Sequence, residues 1–200
     1  MGRSILTPFL RRTWPTRARE TPMEVLGPVQ FGEMLTAWAL HEWQGRLRPR
    51  LPDAAARLSP EDARFNAVRA LLQNRRDVIA GMLAAGITDC ASVRVTAGDI
   101  PLILVMGADP MTNYSKNKLA ERDTDGSADY VRGLAASPAP VSGPFVALAR
   151  STAGPITVFD GMHRIAAWVA HINAGRQYSL EINLVLTQRA SPVFELPKPS

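Results

Sequence analysis

Thr157-Val158-Phe159-Asp160-Gly161-Met162-His163-Arg164 runs straight into Ile165-Ala166-Ala167-Trp168-Val169-Ala170-His171-Ile172, and the reading of this stretch decides the fold. The apolar, β-prone run from Ile156 to Phe159 stops at Asp-Gly, a turn pair, and predicts a strand. Ile165, Trp168, Val169 and Ile172 follow at i, i+3, i+4 and i+7, so a helix with one apolar face begins at once. Its first turn holds Gly161, Met162, His163 and Arg164 beside backbone N–H groups that carry roughly half a positive charge. Arg164 adds a planar donor fork suited to phosphate oxygens. A strand, a tight turn and a cationic helix start make an anion cradle, with phosphate the expected anion. The plainer alternative is that Asp160 caps the helix, Gly161 relieves backbone strain, and His163 and Arg164 are solvated surface groups.

Upstream, Leu102 to Met106 reads as a short buried strand. Residues 107–144 are polar and rich in breakers, and predict a mobile flap over the cradle that carries Asp109, Asn113, Tyr114, Lys116, Lys118, Glu121, Arg122, Asp123, Asp125 and Asp129. Ser59-Pro60-Glu61-Asp62 is a helix start, with a capping hydroxyl, proline in the first turn and acids at the positive end. That helix is expected to run through Val68, Leu71, Val78 and Met82 to a stop at Gly86. Phe31, Leu35, Trp38, Ala39 and Trp43 predict an earlier helix from Gln30 to Gly45, its aromatic stripe serving packing. The expected organisation is a flexible basic leader (1–28), a helical extension packed on the core (29–88), an α/β domain (89–190) and a proline-rich tail (191–200).

Among 200 residues, 46% are hydrophobic, enough for one good core. No run approaches the roughly 18 apolar residues that a membrane span needs. A single cysteine, Cys90, excludes an internal disulfide and a cysteine-based zinc cluster, and fits a cytoplasmic location. His41-Glu42 begins like a zinc-protease helix, but Gly45 stands where the second histidine is required. Neither a Walker loop nor a Gly-x-Gly-x-x-Gly fingerprint is present. Net charge is +5, and Arg3, Arg11, Arg12, Arg17 and Arg19 all precede the first acid, Glu20. This leader reads either as an arm for nucleic acid or a membrane surface, or as a disordered or targeting segment, with Met23 an alternative start.

Order and spacing from about residue 91 to 190 resemble the ParB/sulfiredoxin superfamily of small α/β domains, and the Asp-Gly-x-His-Arg turn resembles its signature. Ala91 to Thr96 resembles the family's entry strand, and Gly98 to Ile100 the short segment after it. Asp109 to Ser115 is similar to the Asn-containing loop of partition proteins, and Ser127 to Ala136 to the following helix. Gly143 to Ala149 resembles the Pro-led strand, Ala153-Gly154 the hairpin turn, and Leu180 to Thr187 the closing strand.

The resemblance implies a nucleotide-binding protein, a Mg²⁺-dependent phosphotransferase or nucleotide hydrolase, with ATP or another nucleoside triphosphate as cofactor. Gly161, Met162, His163 and Arg164 would hold phosphates. His163 would bond a terminal phosphate oxygen or shuttle a proton, roles that an imidazole suits near neutral pH. Asp160 would be a metal ligand or a helix cap, and Asp109 or Asp123 a second carboxylate or general base. Sulfiredoxins carry their catalytic cysteine where this chain has Met162, and a thioether is no such nucleophile, so sulfinic acid reduction is not expected. His171 reads as a surface residue or one behind the site. The acceptor would be a small molecule or a protein. A DNA-associated adaptor is the alternative, motivated by the basic leader, and a nuclease ranks last.

Overall fold

The computed structural model describes residues 21–42, 60–105, 109–121 and 126–188, the side chains at 60, 62, 63 and 65 excepted. Expectations for the leader before residue 21, Trp43, Gly45, Ser59, Met106, Arg122, Asp123, Asp125 and the tail lie outside the described residues.

The chain is a mixed α/β protein. Strands β1 (Glu24–Pro28), β2 (Ile87–Val95), β3 (Ile103–Val105), β4 (Val146–Ala149), β5 (Ile156–Asp160) and β6 (Leu180–Thr187) form one sheet, ordered β1-β2-β6-β4-β5-β3. The β3–β5 and β4–β6 pairs are parallel and the other three antiparallel. Helices α1 (Phe31–Glu42), α2 (Pro60–Asn74) and α3 (Arg76–Ala84) precede β2, and a 3₁₀ helix (Ala97–Leu102) precedes β3. Helices α4 (Met111–Ala120) and α5 (Ser127–Ala136) follow β3, and α6 (Met162–Asn173) joins β5 to β6.

Side-chain alternation splits the core in two. Ala147, Ala149, Ile156, Val158, Ile182 and Leu184 pack with Ile165, Trp168 and Val169 of α6 and with Met111 and Val131 of α4 and α5. Cys90, Val146, Leu148, Phe159 and Val185 point the other way, onto Met34 and Trp38 of α1, Leu71 of α2 and Met82 of α3. Helices therefore cover both faces, which is why β4 and β5 read as unbroken apolar runs.

Three expectations change. Residues 24–28 are an edge strand, with Val25 opposite Val93 and Pro28 opposite Ala91. Backbone pairing at an edge asks nothing of the side chains, and Val25 and Leu26 remain exposed. The helices at 29–88 are no extension preceding the core: they are inserted between β1 and β2 and form a full layer. The single helix expected from Pro60 is two, broken at Arg75, and Gly86 (φ 73°) follows the second as expected.

The stretch at 107–144 is not an unstructured flap, for it holds α4 and α5. Met111, Tyr114, Ser115 and Lys118 recur at i, i+3, i+4 and i+7, a helical stripe that two polar residues disguise. Buried Ser115 donates to Ala166 O at 2.7 Å, fastening α4 to α6.

Candidate functional site

Because β3 and β5 are parallel, with Val105 opposite Val158, their C-terminal ends meet at one end of the sheet. β4 enters from that end, Val146 lying opposite Asp160. Asp109, bonded to Val105, the Ser142–Phe145 segment before β4 and the Asp160–Gly161 turn therefore converge there. Crevices beyond the carboxyl ends of strands are the usual ligand positions of α/β sheets.

Gly161 turns the chain from β5 into α6 at φ 84°, ψ 13°, a left-handed conformation, and among the described residues no side chain caps the helix. A Cβ here would lie 2.4 Å from Phe145 Cδ1. The glycine is thus required by the turn and by the phenyl ring packed against it.

Arg164 and His163 leave the turn in different directions. The Arg164 side chain is only 8% exposed and forms an ion pair with Asp160 Oδ2 at 2.9 Å. Its Nη1 donates to Ser142 O at 3.0 Å and its Nη2 to Pro144 O at 2.9 Å. The guanidinium also lies 4.8 Å from the centre of the Phe145 ring. Gly143, at φ 120°, admits it, since a Cβ there would stand 1.9 Å from Nη1. Arg164 therefore clasps the β4 entry to the head of α6. This corrects the expectation that its fork holds phosphate, because both terminal nitrogens are already engaged by the chain.

Asp160 is corrected with it. Burial lifts its pKa above the ordinary carboxylate value; Arg164 opposes this, Glu42 adds to it, and His41 and Arg75 pull it down. With Oδ2 on Arg164 and the side chain 11% exposed, it neither caps α6 nor stands open as a metal ligand. Among the described residues, no group of three or more His, Cys, Asp or Glu side chains is placed to hold a metal ion. The residues present at Asp160 do not fit Mg²⁺.

His163 is half-buried, its ring 6.0 Å from that of Tyr114 on α4 and 6.3 Å, edge-on, from that of Tyr130 on α5. Tyr130 is 51% exposed, so this side of the helix start opens to solvent. Asp109 is exposed, and its carbonyl accepts from Val105 N at 2.9 Å at the end of β3, the same sheet end as Gly161. Lys118 is held by Ser127 Oγ at 2.8 Å and by Glu121 at 2.9 Å.

His171 is buried, which corrects its placement at the surface. Its Nε2 lies 3.1 Å from both Leu134 O and Ala135 O, and Nδ1 lies 2.6 Å from Tyr178 Oη. Two carbonyls require Nε2 to donate, so Nδ1 accepts from the tyrosine hydroxyl, which itself accepts from Val141 N at 3.3 Å. The ring secures the end of α5.

Sequence reasoning missed the charges behind Asp160. Glu42, at the end of α1, pairs with Arg75 at 3.0 Å, at the α2–α3 break. Neither spacing nor composition links residues 33 apart. The Asp160–Arg164 pair did have a signal, its i, i+4 separation.

Cys90 is buried and its thiol is pushed up to about 11, by burial first and the nearby Asp89 second. In native protein at neutral pH it should react with a disulfide reagent more than tenfold slower than in urea, since the thiolate is the nucleophile. Equal rates in the two conditions would show the thiol open to solvent.

No family model matches this chain, and no curated protein or solved structure matches it either.

Proposed function

We propose that this chain is a nucleotide-binding protein of the ParB/sulfiredoxin type that transfers or hydrolyses a phosphoryl group held at the head of α6. One observation carries the reading: a twelve-residue helix starts at a left-handed glycine, uncapped by any described side chain, at the C-terminal ends of two parallel strands. The N–H groups of the first turn are the donors for a phosphate, and the helix dipole favours its charge. Arg164 serves by fixing the turn and not by touching the ligand.

His163 is the side chain offered to the ligand. It stands on the solvent-facing side with Tyr114 and Tyr130, in reach of a terminal phosphate oxygen as hydrogen-bond partner or proton carrier. Asp109, at the same sheet end, is the candidate base for the attacking hydroxyl or water. The order of elements supports the family reading, with α5 and β6 spanning Ser127–Ala136 and Leu180–Thr187.

Calorimetry with ATP, CTP, GTP and ADP tests this. Wild type should bind at least one of them saturably, and His163→Phe should weaken that binding by roughly 1.5–3 kcal/mol, the value of a hydrogen bond to a charged group. The unfolding midpoint should hold, because a half-buried ring is replaced by a ring. Wild type that takes up none of the four at millimolar concentration ends the proposal.

A further inference from the structure

At the other end of α6 a cavity of about 360 Å³ opens between Thr96–Ala97, where β2 gives way to the 3₁₀ helix, and the Gly175–Ser179 loop leading to β6. That volume falls within the range of small-molecule sites. We infer that this cavity is a second ligand site, for a small organic carboxylate held by Arg176.

The charge pattern selects the sign. Among the described residues of the lining, Arg176 is the only charged one, and none is Asp or Glu. Asp99, the acid nearest in sequence to the Thr96 wall, is 1% exposed and turned away, accepting from Thr96 N at 2.8 Å and from Thr96 Oγ1 at 2.6 Å. Among the described residues no carboxylate pairs with Arg176. Its Nη1 donates to Ser137 O at 2.5 Å, which occupies one of five guanidinium N–H groups, and its backbone N–H donates to His171 O at 3.0 Å. The cation is thus held in place while donors remain for a ligand, as a preorganised site requires.

The walls select the rest of the molecule. Ile172 and Ala97 are apolar, and Tyr178 has its hydroxyl committed to His171, so it contributes its ring. Ser179 adds a hydroxyl to the lining, whereas that of Thr96 is given to Asp99. One cation among apolar walls suits one negative group on an apolar body; inorganic phosphate brings more charge and no body to bury. The Arg176–Ser137 bond also ties the cavity to the end of α5, the helix whose Tyr130 stands beside His163.

Benzoate is the probe, with benzyl alcohol and inorganic phosphate as comparators, titrated into the full chain by NMR. Benzoate should saturate, with the two comparators weaker by about tenfold or more. Arg176→Gln should weaken benzoate by about ten- to a hundredfold, the loss of a charge-assisted contact. Arg176→Lys should retain part of it. Because Arg176 also holds Ser137, Ala97→Leu provides a second test: it narrows the cavity from an exposed position and should weaken benzoate while the unfolding midpoint stays put. The inference is overturned if wild type shows no saturation below about 10 mM, where affinity falls under the weakest specific sites. It is equally overturned if alcohol or phosphate binds as well as benzoate, or if folded Arg176→Gln and Ala97→Leu both bind like wild type.

Discussion

Arg164→Met should lower the unfolding free energy by about 3–5 kcal/mol at neutral pH, the loss expected when one partner of a buried ion pair is removed. The figure is not the worth of the pair. It is the cost of leaving the Asp160 carboxylate, 11% exposed, and the Ser142 and Pro144 carbonyls without their donor. The pH dependence separates this cause from simple loss of packing. Asp160 has a raised pKa in the native state, so native protein binds its proton more tightly than the unfolded chain does. Stability contributed by that proton is present at low pH and is lost as pH rises through the native value. Without the guanidinium the native pKa rises further, and the deficit of the variant relative to wild type is largest above it. Urea unfolding across a pH series should therefore show the deficit shrinking as pH falls towards the ordinary carboxylate range. Asp160→Asn in the same background should recover part of the loss, since a neutral amide needs no counter-charge. A deficit below about 1 kcal/mol at every pH would mean that the pair is solvated and the clasp contributes little.

The clasp also shows where the sequence stops being readable. β5 and α6 were legible because burial wrote a period into them: apolar residues from Ile156 to Phe159, then a stripe at helical spacing. The same period hid Arg164 and His171. Both lie on the buried side of α6, and a polar residue there announces a partner without naming it. Those partners are the carbonyls of Ser142, Pro144, Leu134 and Ala135, and a carbonyl carries no side-chain signature. The α4 helix was lost for a related reason: its inward face is Met-Tyr-Ser-Lys, half of it polar. β1 was lost because an edge strand with exposed residues is, in composition, indistinguishable from a leader. The turn itself stands where the sequence puts it, but Arg164, expected as its phosphate fork, is engaged by the chain.

Gly161→Ala should cost about 2–5 kcal/mol, with two separable parts. A left-handed backbone at φ 84° costs an L-residue about 1–2 kcal/mol. The added methyl, 2.4 Å from Phe145 Cδ1 and 3.2 Å from Arg164 Nη2, adds an overpacking cost of about 1–3 kcal/mol. The neighbour on one side is a ring that is 3% exposed and fixed by the core, and on the other a guanidinium with three acceptors, so neither yields cheaply. Placing the substitution on a Phe145→Leu background removes most of the clash and leaves the conformational part. Measured by urea unfolding, the cost of Gly161→Ala should therefore fall to about 1–2 kcal/mol on that background. The shift has a functional reading as well. Displacing the turn moves the N–H groups of Met162 and His163 together, so nucleotide affinity should fall with Gly161→Ala even under conditions where the variant is fully folded. If the substitution alters stability by less than about 0.5 kcal/mol, within the range of an ordinary surface change, the ring does not rest on this turn and the account of its geometry fails.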